Sequence, residues 1–292
     1  MQSRGFLFVA TAAILWAISG AISKYLFIGG MDSMTLTKFR LTFSTTTLFV
    51  IFLLNNPKAL LIKKKDITNF LVLGFAMASV QFTYLFAISK INVATAILLQ
   101  YMSPVLGVIY FFLFKGKKPE KRTIISIGFA VLGCFYAVGA YNSNLLTLNK
   151  AGIVVGLLSA FFFSLYSIKG ESMMCKYSPH VTIFYAFFFG VVCLFIAKPD
   201  FTFLYTQRDF TQWSCIIFIA TLGTIAPFLL YFKGINIIGS VKGNTTATLE
   251  PIAAGIISFF LVGETMERLQ VLGAIMVISA VIFLQQKDKS VK

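Results

Sequence analysis

VTIFYAFFFGVVCLFIA, residues 181–197, contains no charged side chain and does not alternate polar with apolar positions. A membrane β-strand needs about ten residues of alternating polarity, and the FFFGVVCLF portion cannot supply it. As a helix rising about 1.5 Å per residue, the run is long enough to cross the hydrocarbon layer with little tilt. No run of the ten is shorter; the others lie near residues 6–28, 35–54, 68–88, 93–114, 123–141, 152–170, 212–232, 243–262 and 269–285. The expected fold is all-α: a polytopic membrane protein of ten transmembrane helices.

Composition agrees. Of 292 residues, 58% are apolar and 12% charged, against about 25% charged in soluble domains. Mean hydropathy is +0.86. The net charge of +15 is no nucleic-acid footprint, because the lysines sit in short clusters between apolar runs, where positive-inside retention accounts for them. With the N-terminus inside, seventeen of the 25 basic residues fall on the inner side, among them Lys63, Lys64, Lys65, Lys117 and Lys118. Both termini are therefore expected in the cytoplasm, which requires an even number of spans. The first run imitates a signal peptide, but nine similar runs follow, so it is read as a retained first helix. Cys134, Cys175, Cys193 and Cys215 are well separated and form neither a disulfide framework nor a close-spaced metal motif.

Displaced by 147 residues, the chain matches itself. Gly5 falls on Gly152, Trp16 on Phe163, Tyr84 on Tyr231, Pro104 on Pro251, Gly116 on Gly263 and Glu120 on Glu267. The expected organisation is a first five-helix repeat over residues 1–141, a second over 148–287, and a short cytoplasmic tail, 288–292. An odd number of helices per copy inverts the second relative to the first, the arrangement that underlies alternating access.

Polar residues inside apolar runs are costly and mark the bundle interior. The fourth run opens NVATAILLQYMSPV, with Asn92, Thr95, Gln100 and Tyr101 ahead of Pro104. The ninth opens GNTTATLEPIAAG, with Asn244, Thr245, Thr248 and Glu250 ahead of Pro251. Each proline removes a backbone donor and favours a kink that serves gating or binding. Trp16, Tyr84, Tyr101 and Tyr231 are the aromatic candidates for a cavity wall, able to hold an organic solute or a cation over a ring face.

Glu250 is the one carboxylate well inside an apolar run. It stands open to three roles: a buried hydrogen-bonded or ion-paired acid, a proton carrier, or a substrate contact. Lys242 reaches it only if the backbone between them bends. Arg40, deep in the second helix, is a gating candidate, whereas interfacial snorkelling explains Lys24 and Lys38. Ala13, Ala17 and Ala21 form a small-residue stripe for close helix approach. No HExxH, serine elbow or phosphate loop points to an enzyme, no carbonyl-filter motif points to a channel, and no metal or cofactor is expected.

YLFAISKINVATAILLQYMSPVLGVIYFFLFKGKKP (Tyr84–Pro119), TTATLEPIAAGIISFFLVGE (Thr245–Glu264) and ILWAISGAISKYLF (Ile14–Phe27) resemble the characteristic segments of EamA-type proteins of the drug/metabolite transporter superfamily. The LEP element of that resemblance falls on Leu249, Glu250 and Pro251, and its counterpart on Ser103 and Pro104. The resemblance implies two inverted five-helix domains moving small metabolites by alternating access. Similar proteins handle amino acids, cysteine-pathway metabolites, purines, amines or nucleotide sugars. The expectation is a secondary transporter in a bacterial cytoplasmic membrane, exporting amino acids or related metabolites. Uptake of an organic cation such as choline is the alternative within transport, and a membrane-embedded sensor or assembly component the alternative of another class. The expected partners are a small-molecule substrate, the lipid bilayer and a coupling proton, with no nucleic acid, in a monomer or weak homodimer.

Overall fold

Apolar runs bounded by loop residues become helices because a backbone in lipid must satisfy its own hydrogen bonds. The computed structural model describes residues 2–103, 105–106, 121–238, 243 and 246–285. The helices are α1 (Gln2–Ile28), α2 (Ser33–Asn55), α3 (Ile67–Lys90), α4 (Val93–Gln100), α5 (Lys121–Ala137), α6 (Ser143–Met174), α7 (Pro179–Ala197), α8 (Phe210–Ala220), α9 (Ala226–Ile238), α10 (Leu249–Val262) and α11 (Arg268–Gln285). A five-residue π-turn, Thr221–Ile225, joins α8 to α9.

Among the described residues six helical stretches are long and apolar enough to cross a membrane: Gln2–Ile28, Ser33–Asn55, Lys64–Lys90, Asn149–Met174, Pro179–Ala197 and Phe210–Ile235. Three shorter apolar helices accompany them, Ile124–Ala137, Leu249–Val262 and Arg268–Phe283. The molecule is thus an all-α, multi-span membrane protein. The fourth run reaches only Gln100 as α4 before the chain turns at Tyr101 and Met102; most of its remainder, with Pro104, lies outside the described residues, as do Gly116 and Glu120 beyond it.

Packing follows residue size. Ala13, Ala17 and Ala21 are fully buried, on the helix that packs against α9 and α10. Helix α6 packs on α3 and α4, α7 on α3 and α2, and α5 on α11. Large apolar side chains such as Phe75, Phe129, Phe161 and Phe260 point outward, which is the solvent preference of a lipid-facing surface. All four cysteines are free thiols.

At one end of the bundle the loops are tied by buried polar groups. Lys24 Nζ donates to the Ile88 and Ile91 carbonyls, both at 2.9 Å, and pairs with Glu264 at 3.3 Å. Glu264 in turn accepts the Val93 N–H at 2.9 Å. Lys38 is 2% exposed and donates to the Lys198 and Asp200 carbonyls, both at 2.8 Å, between the rings of Phe195 and Phe203. Snorkelling is therefore not what these two lysines do: Lys24 is held by carbonyls at the end of α3 and Lys38 by those of the loop after α7. Hydrogen bonds from the Thr202 hydroxyl and N–H hold the adjacent Asp200 carboxyl below the usual carboxylate range. Phe39, packed edge-on against Phe203 and Trp213, fills the space beneath.

At the opposite end Asp66, 2% exposed, accepts from Lys176 and from the Tyr177 hydroxyl, both at 2.9 Å, joining the α2–α3 linker to the α6–α7 loop.

Candidate functional site

A cavity of about 470 Å3 lies among α1, α2, α3, α6, α7, α9 and the turns that precede or follow the α4 and α10 helices. Trp16 and Phe228 meet edge-on at 5.3 Å, with Tyr231 tilted against Trp16 at 5.7 Å, and together they make an aromatic wall. Gln81, Tyr84, Gln100, Ser103, Ser164 and Ser167 add polar atoms. Met174 at the end of α6, Thr182 at the start of α7 and Ile235 near the end of α9 extend the lining toward the Asp66 end. The Lys24 and Lys38 networks at the other end do not line it.

Glu250 sits in the first turn of α10, where its side chain reaches the cavity. The Tyr101 hydroxyl donates to the Ala247 carbonyl at 2.6 Å and lies 3.2 Å from Glu250 Oε2. Tyr101 thus ties the end of α4 to the start of α10. Changing Tyr101 to Phe strips the donor from the Ala247 carbonyl and removes the hydroxyl beside Glu250. A stability loss of about 1–2 kcal/mol is expected, read as a lower Tm in detergent; an unchanged Tm would mean that water replaces the hydroxyl at no cost.

Arg40 is 4% exposed. Its Nε donates to Thr224 Oγ1 at 2.7 Å and Nη2 to the Gly223 carbonyl at 3.3 Å. The π-turn explains the site: shifting the backbone register frees carbonyls, which side chains then take up. Ser44 donates to the Ala220 carbonyl and Thr224 to the Ile219 carbonyl, each at 2.7 Å. Among the described residues no carboxylate oxygen lies within 4 Å of the guanidinium, the ion pairs there being Lys24–Glu264 and Lys176–Asp66.

Of the residues singled out from sequence, Trp16, Arg40, Tyr84, Gln100, Tyr101, Tyr231 and Glu250 line this cavity. Asn92 instead precedes α4 and donates to the Thr265 carbonyl at 2.9 Å, beside the Lys24 tie. Thr95, 3% exposed, faces the Ala137 carbonyl at 3.4 Å, and Thr248 is buried at the turn before α10. Pro251 is buried in the first turn of α10, a position where a missing N–H costs little. Pro104, Lys242, Asn244 and Thr245 lie outside the described residues. Gln81 and the Ser164–Ser167 face of α6 went unselected in the sequence. A lone Gln in the long apolar run of α3 and two serines one turn apart in α6 were the available signals.

Comparison with known proteins agrees with this architecture. The chain is 29% identical to an uncharacterized inner membrane transporter, YicL, of Salmonella typhimurium, over 96% of this chain and 95% of that protein. It is 27% identical to an uncharacterized transporter of Archaeoglobus fulgidus over 68% and 70% of the two chains. It is 23% identical to the pseudopaline exporter CntI of Pseudomonas aeruginosa over 98% and 97%. A crystal structure of a protein with 15% identity has a TM-score of 0.61 over 97% of this chain and 98% of its own, which speaks for the fold alone. Residues 3–139 and again 150–285 match the EamA-like transporter family, and the chain, a small-molecule transporter by that membership, belongs to it.

Proposed function

We propose that the protein is a ten-span secondary transporter of small polar organic metabolites, built from two inverted five-helix repeats and working by alternating access. The observation that carries this reading is that repeat-related residues converge on one cavity. Trp16 and Phe163, Tyr84 and Tyr231, and Ser103 and Glu250, each pair 147 positions apart, all line it. A binding site on the axis between inverted halves is where such transporters hold substrate.

Helix contacts support the same symmetry. A Cβ on Gly5 would meet Ile238 Cγ2 at 2.5 Å, and one on Gly152 would meet Ile91 Cγ2 at 2.7 Å. The displacement of 147 takes Gly5 to Gly152 and Ile91 to Ile238, so one contact is the exchanged copy of the other. The turn at Tyr101 and the turn at Thr248 are related by the same displacement, as are the starts of the two family matches.

The cavity, sealed at the Lys24 end and extended toward the Asp66 end, fits an inward-facing state if the lysine-rich loops are cytoplasmic. A bacterial cytoplasmic membrane with both termini inside is the corresponding location, and residues 1–141 and 148–287 are the two repeats. Export of an amino acid or related metabolite is the favoured activity, in line with a relative named as an exporter. The aromatic wall of Trp16, Phe228 and Tyr231 beside Glu250 favours a second reading, uptake of an organic amine held over ring faces.

Counterflow in proteoliposomes tests the function. Vesicles preloaded with one unlabelled candidate solute are expected to accumulate the labelled solute transiently, faster than protein-free vesicles. Absence of counterflow for amino acids, amines and small organic acids alike would count against secondary transport of these classes.

A further inference from the structure

Resting on the cavity as substrate site, we infer that it is a two-pole site selective for zwitterions, with Arg40 as the carboxylate pole and Glu250 as the ammonium pole. Both side chains line the same cavity, yet they form no ion pair with each other within 4 Å. A buried cation and a half-buried carboxylate that share a cavity without pairing leave each charge without its strongest partner. A ligand bearing both opposite charges satisfies the two together.

The repeat sharpens the assignment. Part of the cavity lining recurs between halves, Trp16 with Phe163 and Tyr84 with Tyr231 as aromatic counterparts, but the charges do not. At the displacement of 147, Arg40 corresponds to Phe187 and Glu250 to Ser103. Neither charge is needed to build the five-helix unit, and each occurs in one half only. The two charges give the pocket a direction.

Arg40 is also prepared for its role. Its Nε and one Nη2 hydrogen are held by the π-turn through Thr224 and Gly223, which orients the planar fork and leaves other N–H donors for a carboxylate. The Tyr101 hydroxyl, which donates to the Ala247 carbonyl, also lies 3.2 Å from Glu250 Oε2. The space of about 470 Å3 suits a small organic solute. Because Arg40 bonds to the turn joining α8 and α9, drawing the guanidinium toward a ligand strains a contact between the second and eighth of the proposed spans. Carboxylate recognition is in this way connected to a movable helix joint.

The test uses the purified full chain in detergent, with thermal shift read against concentration for the twenty amino acids. For each that raises Tm, the decarboxylated amine and the deaminated acid of the same side chain are titrated beside it. The expected result is that at least one amino acid shifts Tm saturably and that both single-charge analogues bind at least about tenfold more weakly, equivalent to about 1.4 kcal/mol. Arg40→Gln is expected to erase the preference for the amino acid over its amine while keeping that over the acid. Glu250→Gln is expected to do the reverse.

An analogue binding as tightly as its parent amino acid, silence of all twenty, or variants that weaken all three ligands equally would each overturn the inference. Should Arg40→Gln fail to fold, the wild-type comparison of the three ligands still decides the matter. Counterflow separates this inference from the transport reading. Translocation without discrimination between the three ligands removes the two-pole site alone; two-pole binding without counterflow of any solute removes transport alone.

Discussion

Glu264→Gln is expected to open the Lys24 end of the bundle. The wild-type carboxylate pairs with Lys24 at 3.3 Å and accepts the Val93 N–H at 2.9 Å, while Lys24 holds the Ile88 and Ile91 carbonyls. One carboxylate therefore joins the end of α1, the α3–α4 junction and the loop between α10 and α11. In a state open at this end the same groups would be hydrated, so neutralising Glu264 raises the energy of the closed end selectively. Hydrogen bonds to a charged group contribute about 1.5–3 kcal/mol each. Gln keeps an oxygen for the Val93 N–H but gives up the charge and the Lys24 pair; a loss of that size moves the closed-to-open ratio by about ten- to hundredfold.

The readout is a single cysteine at Ser103, a cavity residue, in a background where Cys134, Cys175, Cys193 and Cys215 are replaced by Ser. In cells, a membrane-impermeant maleimide should label it slowly from outside when Glu264 is intact and at least about tenfold faster in Glu264→Gln. Equal rates in both backgrounds would mean that the latch does not hold the closed state. Rapid outside labelling already in the intact background would reverse the assigned orientation.

Gly273→Val should be the most damaging single change in the α5–α11 pair. A Cβ on Gly273 would lie 2.3 Å from the Ala137 nitrogen and 2.5 Å from the Gly133 oxygen, both backbone atoms that cannot rotate away. The helices must separate, losing contacts along their length. Overpacking of this kind costs about 3 kcal/mol or more where backbone has to shift, and a large drop in Tm is the expected result. Gly128→Val, on the same helix pair but with nothing within 4 Å of its added Cβ, is the control and should leave Tm nearly unchanged. If both variants melt alike, helix propensity rather than close approach controls this interface.

The legible and illegible parts of the protein divide along a physical line. Lipid permits only backbone that satisfies its own hydrogen bonds, so long apolar runs such as residues 181–197 declared helices without reference to any partner. The displacement of 147 residues also stood in the sequence, since related positions keep size and aromaticity even after neighbours change. It brought out Trp16, Tyr84 and Tyr231, which share the cavity with Glu250. The family, too, was carried by local segments, and residues 3–139 and 150–285 bear it out.

Direction was another matter. Asn92, Thr95 and Tyr101 share one polar segment, yet only Tyr101 faces the cavity, while Asn92 turns to Thr265 and Thr95 to Ala137. In a buried helix every side can be apolar, so periodicity does not say which neighbour a polar residue meets. Lys24 and Lys38 read as snorkelling because the carbonyls they take, at the end of α3 and in the loop after α7, are distant in sequence. The π-turn that holds Arg40 has no composition of its own; it exists because Ser44, Arg40 and Thr224 capture the carbonyls it frees. The sequence by itself thus determined helices, repeat and family, all properties of local chain chemistry. Only the tertiary structure decided which charges share a cavity and which end is closed, because those depend on where helices far apart in the chain direct their side chains.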